Sequence, residues 1–163
     1  MLARGACLVS TDISDEMMRL TSEKFQNDAD FHAVPGNKSD IRVEEFPTAD
    51  FDIEAHLKDS LGFNHDKDRA VIGRIANNES LPFKSESFDC YLACLSLMLV
   101  DNYLNMLEEA FRVCQSGATL AFTVWGRKEN IQIFEVLDAV ITKHGLKSTV
   151  PPIKTSYDLG KDP

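Results

Sequence analysis

The chain has 163 residues, 44% of them hydrophobic and 26% charged, with a formal net charge of −9 and a sequence pI near 4.8. This is the composition of an ordinary globular domain that is long enough to bury a core, and the length predicts a single domain. The acidic balance excludes a protein that tracks nucleic-acid phosphates, which needs a basic face.

The first predicted strand covers residues 7–11 and runs directly into Asp12. A helix follows at once. Ser14 suits its N-cap, Asp15 and Glu16 complement the positive end of its dipole, and it should reach about Phe25. Residues 28–68 show no clean period, hold Pro35-Gly36-Asn37 and Pro47, and read as an irregular insertion. Within it, Phe46, Phe51, Ile53 and Leu57 suit a short helix or strand that docks locally, while Glu44, Glu45, Asp50 and Asp52 suit a solvated face. Further strands are predicted at 70–75, 88–94 and 119–125. The last two are near-continuous apolar runs, as in parallel strands covered on both faces. Between them a helix starts near Asp101, with Tyr103, Leu107, Ala110, Phe111 and Cys114 at helical spacing and Gly117 as its stop. A last helix carries Ile133, Phe134, Leu137, Val140 and Ile141 on one face and ends at Gly145. Met17, Met18, Met98 and Met106 read as core filler. Strand and helix in alternation predict an α/β fold with a mostly parallel sheet and helices on both faces.

No secretory signal is legible at the start of the chain. The longest apolar run, from Cys90 to Val100, is too short for a bilayer. A cytoplasmic location without membrane contact is expected. Cys7, Cys90, Cys94 and Cys114 should then be reduced, and they lack zinc-site spacing, so no metal is expected. No spacing fixes a partner for His32, His56, His65 or His144, and Trp125 suits a packed rim position.

Four segments in order resemble class I S-adenosylmethionine-dependent methyltransferases, of the methyltransferase type 11 kind with a Rossmann-like sheet. Val9-Ser10-Thr11-Asp12-Ile13-Ser14-Asp15-Glu16-Met17 is similar to that family's second-strand motif. Asn77-Asn78-Glu79-Ser80-Leu81-Pro82-Phe83 is similar to its Asp-Ala-Glu-x-Leu-Pro-Phe motif. Ser87-Phe88-Asp89 resembles the entry into its fourth strand. Glu109-Ala110-Phe111-Arg112-Val113-Cys114-Gln115-Ser116-Gly117-Ala118 resembles the Arg-Val-Leu-Lys-Pro-Gly-Gly turn before its fifth. The resemblance implies S-adenosyl-L-methionine as cofactor, with Asp12 on the ribose hydroxyls and Ile13 against adenine. It also implies Asn77 beside the adenine amino group, a backbone N–H of Asn78 toward the ring, and the backbone of Ala93 near the methionine end. It implies methyl transfer to an unidentified small-molecule or protein acceptor and assigns no catalytic residue. Such chemistry needs little more than alignment, because a sulfonium methyl is already electrophilic.

The departures carry expectations of their own. The family's first strand with its Gly-x-Gly-x-Gly turn, and its final strands, have no counterpart in these residues. Only a helix remnant at residues 2–6 stands where that turn would end. The sheet is therefore expected to be incomplete, the chain to be a fragment that binds the donor weakly or not at all, and an exposed sheet edge to invite self-association. Ala93-Cys94-Leu95-Ser96 is not Asn-Pro-Pro-Tyr, which argues against nucleobase or glutamine-amide acceptors. A non-catalytic module with the same fold is the alternative. An NAD-dependent oxidoreductase fits less well, because Leu81-Pro82-Phe83 and the lack of a Tyr-x-x-x-Lys pair weigh against it.

Overall fold

A computed structural model describes residues 5–126 and 132–145. In chain order it contains β1 (Cys7–Asp12), α1 (Asp15–Gln26), α2 (Ala29–His32), β2 (Asn37–Glu45), α3 (Ile53–Leu61), β3 (Arg69–Ile75), β4 (Phe88–Cys94), α4 (Tyr103–Val113), β5 (Cys114–Thr123) and α5 (Gln132–Lys143). The fold is α/β with parallel strands, as the sequence pattern implies. The strands form two sheets, one of three strands in the order β1-β3-β2 and one made of β4 and β5. Every ladder is parallel.

The stretch at 28–68 is more regular than its pattern suggests. It holds α2, the nine-residue strand β2 and α3. β2 was invisible to periodicity because Lys38, Asp40, Arg42, Glu44 and Glu45 interrupt any apolar run. It is nonetheless an outer strand, paired to β3 on one side only. Phe46, Phe51, Ile53 and Leu57 are all buried, so the expected local docking is part of the main core.

β3 is the central strand of its sheet and is buried almost throughout. Alternation sends Ala70 and Ile72 toward α3, into a cluster with Phe46, Phe51, Ile53, Leu57, Leu81 and Phe83. The opposite face meets α1 at Gly73. A Cβ there would lie 2.8 Å from Ile41 Cγ2 and 3.0 Å from Met18 Cε, so only glycine lets the helix come this close. The core also reaches the second sheet. Phe83 meets Phe46 edge-on at 4.8 Å and Phe88, the first residue of β4, at 5.1 Å.

Helix ends follow their caps. The Ser14 hydroxyl accepts the Met17 N–H (3.3 Å), and the Asn102 side chain accepts the Leu104 N–H (3.0 Å). α4 stops at Val113 rather than at Gly117, because extended backbone begins at Cys114. Gly117, with φ +85, sits in a bulge of β5, where the pairing jumps from Phe88↔Cys114 to Cys90↔Thr119. β5 therefore starts five residues earlier than residue 119 and ends at Thr123, before Trp125. The buried face of α4 is Met106, Ala110 and Val113, whereas Phe111 is 78% exposed. Met18, Met98 and Met106 are buried as expected, and Met17 is half exposed. Of the thiols only Cys114 is fully buried. Cys90 and Cys94 are exposed, and all four are free. Burial, with a smaller contribution from Glu54, pushes the Cys7 thiol up to about 12, which leaves it unreactive. The predicted remnant at 2–6 lies mostly outside the described residues.

Candidate functional site

The site predicted from sequence lies at the carboxyl ends of β1 and β3. Asp12 closes β1 opposite Ile75, the last residue of β3. Just beyond, the Ala76 N–H donates to the Asp12 carbonyl (3.0 Å), which ties the end of β1 to the turn that opens at Asn77. One oxygen of the Asp12 carboxylate, Oδ1, accepts the Ser14 N–H at 2.8 Å. Oδ2 has no hydrogen-bond partner among the described residues. Ile13, next to it, is 69% exposed, an unusual position for a large aliphatic beside a strand end. Asn77 Oδ1 accepts the Glu79 N–H (2.9 Å), and the Asn77 carbonyl accepts the Ser80 N–H (3.0 Å). Asn77 thus shapes its own turn and keeps a second lone pair on Oδ1.

The chain therefore brings Asp12, Ile13, Asn77 and Asn78 to one rim. Ala93 lies in the other sheet, paired with Phe122 and nearly buried. No hydrogen bond joins it to the Asp12 group among the described residues. An adenosyl group fits the rim on two counts. The idle Oδ2 is an acceptor for a ribose hydroxyl. The bare Ile13 is an apolar surface for a flat ring to cover.

The Leu81-Pro82-Phe83 loop is held from α4. Arg112 donates to the carbonyls of Phe83 (2.7 Å) and Leu81 (2.9 Å), while Glu109 accepts the Leu81 N–H (2.7 Å). The two side chains bind each other through Arg112 Nε and Glu109 Oε1, 2.7 Å apart. The hydrogen bond from Arg112 outweighs burial and keeps the Glu109 carboxyl below its usual range. Glu79 joins the same scaffold by accepting the Asp101 and Asn102 N–H groups at the start of α4 (2.8 and 3.1 Å).

A second polar centre lies on the α3 face of the three-stranded sheet, and no spacing in the sequence points to it. Asp40 of β2 accepts Arg42 Nε on Oδ1 (2.7 Å), and on Oδ2 both Arg74 Nη2 (2.6 Å) and His56 Nε2 (2.8 Å). Arg74 also donates to the carbonyls of Asp40 (2.6 Å) and Gly73 (2.8 Å). The Asp40 and Arg74 side chains are 9% and 4% exposed. Burial pushes the Asp40 carboxyl up, but the hydrogen bonds from Arg74, Arg42 and His56 outweigh it and hold the group below the usual range. An open cleft of about 370 Å³ beside this cluster is lined by Arg42, Glu44, Phe51, His56, Ser60 and Arg74, among others. No group of three or more His, Cys, Asp or Glu among the described residues is arranged to hold a metal ion. No helix among them is long and apolar enough to cross a membrane.

Residues 52–122, from the N-cap of α3 into β5, match a family model described as a methyltransferase domain. These residues are similar to a methyltransferase domain, over a match that spans less than half of the chain. The match takes in Asn77, Asn78, Ala93 and the Glu109–Arg112 clamp; Asp12 and Ile13 lie before it. Among curated proteins none matches the chain.

Proposed function

We propose that this chain is a methyltransferase that uses S-adenosyl-L-methionine and passes its methyl group to a small-molecule or protein acceptor in the cytoplasm. The observation that carries the reading is the idle Asp12 Oδ2 beside an uncovered Ile13, joined through the Ala76 N–H to the Asn77 turn. Bound there, S-adenosylmethionine supplies a methyl made electrophilic by its sulfonium. The protein's residues bind and orient. Asp12 accepts ribose hydroxyls, Ile13 covers one face of the adenine, and Asn77 and the Asn78 N–H read its edge. The backbone of Ala93 approaches the methionine end.

The test is amide-resolved NMR with S-adenosylhomocysteine titrated to millimolar concentration, which registers weak binding as readily as tight. Saturable shifts at Ile13, Asn77 and Asn78, absent with NADH, support the reading. Equal shifts with NADH favour a nicotinamide site. An unchanged spectrum overturns the proposal and leaves a non-catalytic module.

A further inference from the structure

The turn that opens at Asn77 is tied to more than one element. Just before it, the Ala76 N–H donates to the Asp12 carbonyl at the end of β1 (3.0 Å). Just after it, the Leu81 N–H donates to Glu109 of α4 (2.7 Å). Between these ties stands Glu79. Its own N–H donates to Asn77 Oδ1 (2.9 Å). Its carboxylate oxygens Oε1 and Oε2 accept the Asp101 and Asn102 N–H groups, 2.8 and 3.1 Å away and 22 and 23 positions further along the chain. One residue therefore grips Asn77 with its backbone and the start of α4 with its side chain.

The anchor at α4 is itself fixed. Leu95, which follows β4, has a φ of +55, a left-handed conformation that leucine rarely adopts. Its N–H donates to the carbonyl of Thr123 (2.9 Å) and to the hydroxyl of the same residue (3.1 Å), at the end of β5. The Leu99 N–H turns back to the Ser96 carbonyl (2.9 Å), and Met98 between them is buried. The segment from Leu95 to Asn102 is thus fastened to β5 at one end and to Glu79 at the other. Asn102 then caps α4 by accepting the Leu104 N–H (3.0 Å). Both oxygens of Glu79 go to backbone N–H groups at a helix start, where a carboxylate makes charge-assisted bonds with the dipole in its favour.

We propose that Glu79 is a positioning residue of the donor site, a role that rests on S-adenosylmethionine being the donor. It fastens the turn to α4 and so holds Asn77 and the Asn78 N–H where the adenine edge needs them. The physical reason is preorganisation. A turn that is already fixed loses little freedom when a ligand arrives, whereas a turn released from α4 has to be ordered at the expense of affinity. Both bonds to α4 need both oxygens. Glutamine keeps one accepting oxygen, and alanine keeps none.

The test is the S-adenosylhomocysteine titration by amide-resolved NMR on the full chain, its Glu79→Gln variant and its Glu79→Ala variant, with urea unfolding of each. In the parent, the Asp101 and Asn102 amides should shift on the same saturation curve as Asn77 and Asn78. Glu79→Ala should lose those two remote shifts, keep the shift at Ile13, and bind about tenfold more weakly per folded molecule. Glu79→Gln should fall between the two. If Glu79→Ala does not fold, Glu79→Gln decides, by weaker binding or by none. A variant that is less stable yet binds as tightly as the parent per folded molecule overturns the inference, because Glu79 then only caps α4. Parent shifts at Asn77 and Asn78 without any at Asp101 and Asn102 overturn it too. Either result leaves the donor site standing. An unchanged parent spectrum overturns the donor site itself, and the role of Glu79 with it.

Discussion

Two carboxylates in the three-stranded sheet have opposite fates. Asp40, in β2, spends both oxygens on Arg42, Arg74 and His56 and is almost out of water. Asp12, at the end of β1, spends one oxygen on its own turn and leaves the other idle at the rim. The difference shows how structure and function divide the same chemical group. A buried charge is retained only when its hydrogen-bonding capacity is filled. Capacity left open at a strand's carboxyl end is available to a ligand. By the same measure the His56 cleft, for all its charged side chains, is chiefly a structural centre, since Asp40 and Arg74 satisfy each other.

The strongest way to break this comparison is to unpair the buried centre. Asp40→Ala removes the buried carboxylate that pairs with Arg74 and leaves its guanidinium with two backbone carbonyls and the exposed Glu44, 3.6 Å away. We expect a loss of about 3–5 kcal/mol in urea unfolding, the usual cost of stranding one member of a buried pair. A loss below about 1 kcal/mol would show that water reaches Arg74 and that the two carboxylates do not differ in kind. Glu109→Ala is the intermediate case. It removes the acceptor of the Leu81 N–H and one partner of Arg112, which is two-thirds buried. We expect a loss of about 1–3 kcal/mol, with the Leu81-Pro82-Phe83 amides exchanging faster.

Acid should act on the same centres. Both the Asp40 and Glu109 carboxyls lie below their usual range in the folded chain. The unfolded chain therefore binds more protons as the pH falls. The stability these groups contribute is full above about pH 4–5 and is lost as the pH drops through the lower folded-state values. Unfolding midpoints measured from pH 6 to pH 3 should decline, and Glu109→Gln should decline less steeply than the parent chain. Equal slopes would remove Glu109 from the account.

The extent to which this was legible in the sequence follows the same division. β1, β3 and β4 stood out because each is a short, largely uncharged run, and α1 stood out because Ser14, Asp15 and Glu16 announce a helix start. The positions of Asp12 and Asn77 at the strand ends were readable because they are local, each within a turn of its strand end. Long-range partnership was not readable. Asp40 meets Arg74 across 34 positions, and His56 reaches Asp40 from a different element. Nothing in the spacing of residues 28–68 joins them, so the densely charged strand passed for loop. The face of α4 was misjudged for a related reason. Ala110 and Met106 are buried as expected, but Tyr103 and Phe111, apolar and at helical spacing, are exposed, and tertiary packing buries Val113 in their place. The division into two sheets is likewise a property of pairing, which no single segment records.

The smallest expected change in stability belongs to the residue on which the proposed function depends most. Asp12→Asn keeps an oxygen to accept the Ser14 N–H and adds no bulk, so the turn after β1 should persist. Stability should stay within about 0.5 kcal/mol of the parent, as for surface substitutions that break no buried contact. The charge is lost, however, and with it any charge-assisted bond from a ribose hydroxyl. Such bonds are roughly twice as strong as neutral ones. A deficit of about 1.4 kcal/mol corresponds to a tenfold weaker affinity for S-adenosylhomocysteine, measurable in the same NMR titration. Asp40→Asn should show the reverse pattern, with stability clearly reduced and affinity per folded molecule unchanged. If Asp12→Asn instead unfolds the chain, or binds the ligand as well as the parent does, Oδ2 was idle for want of a structural partner, and the rim has no claim on the sugar.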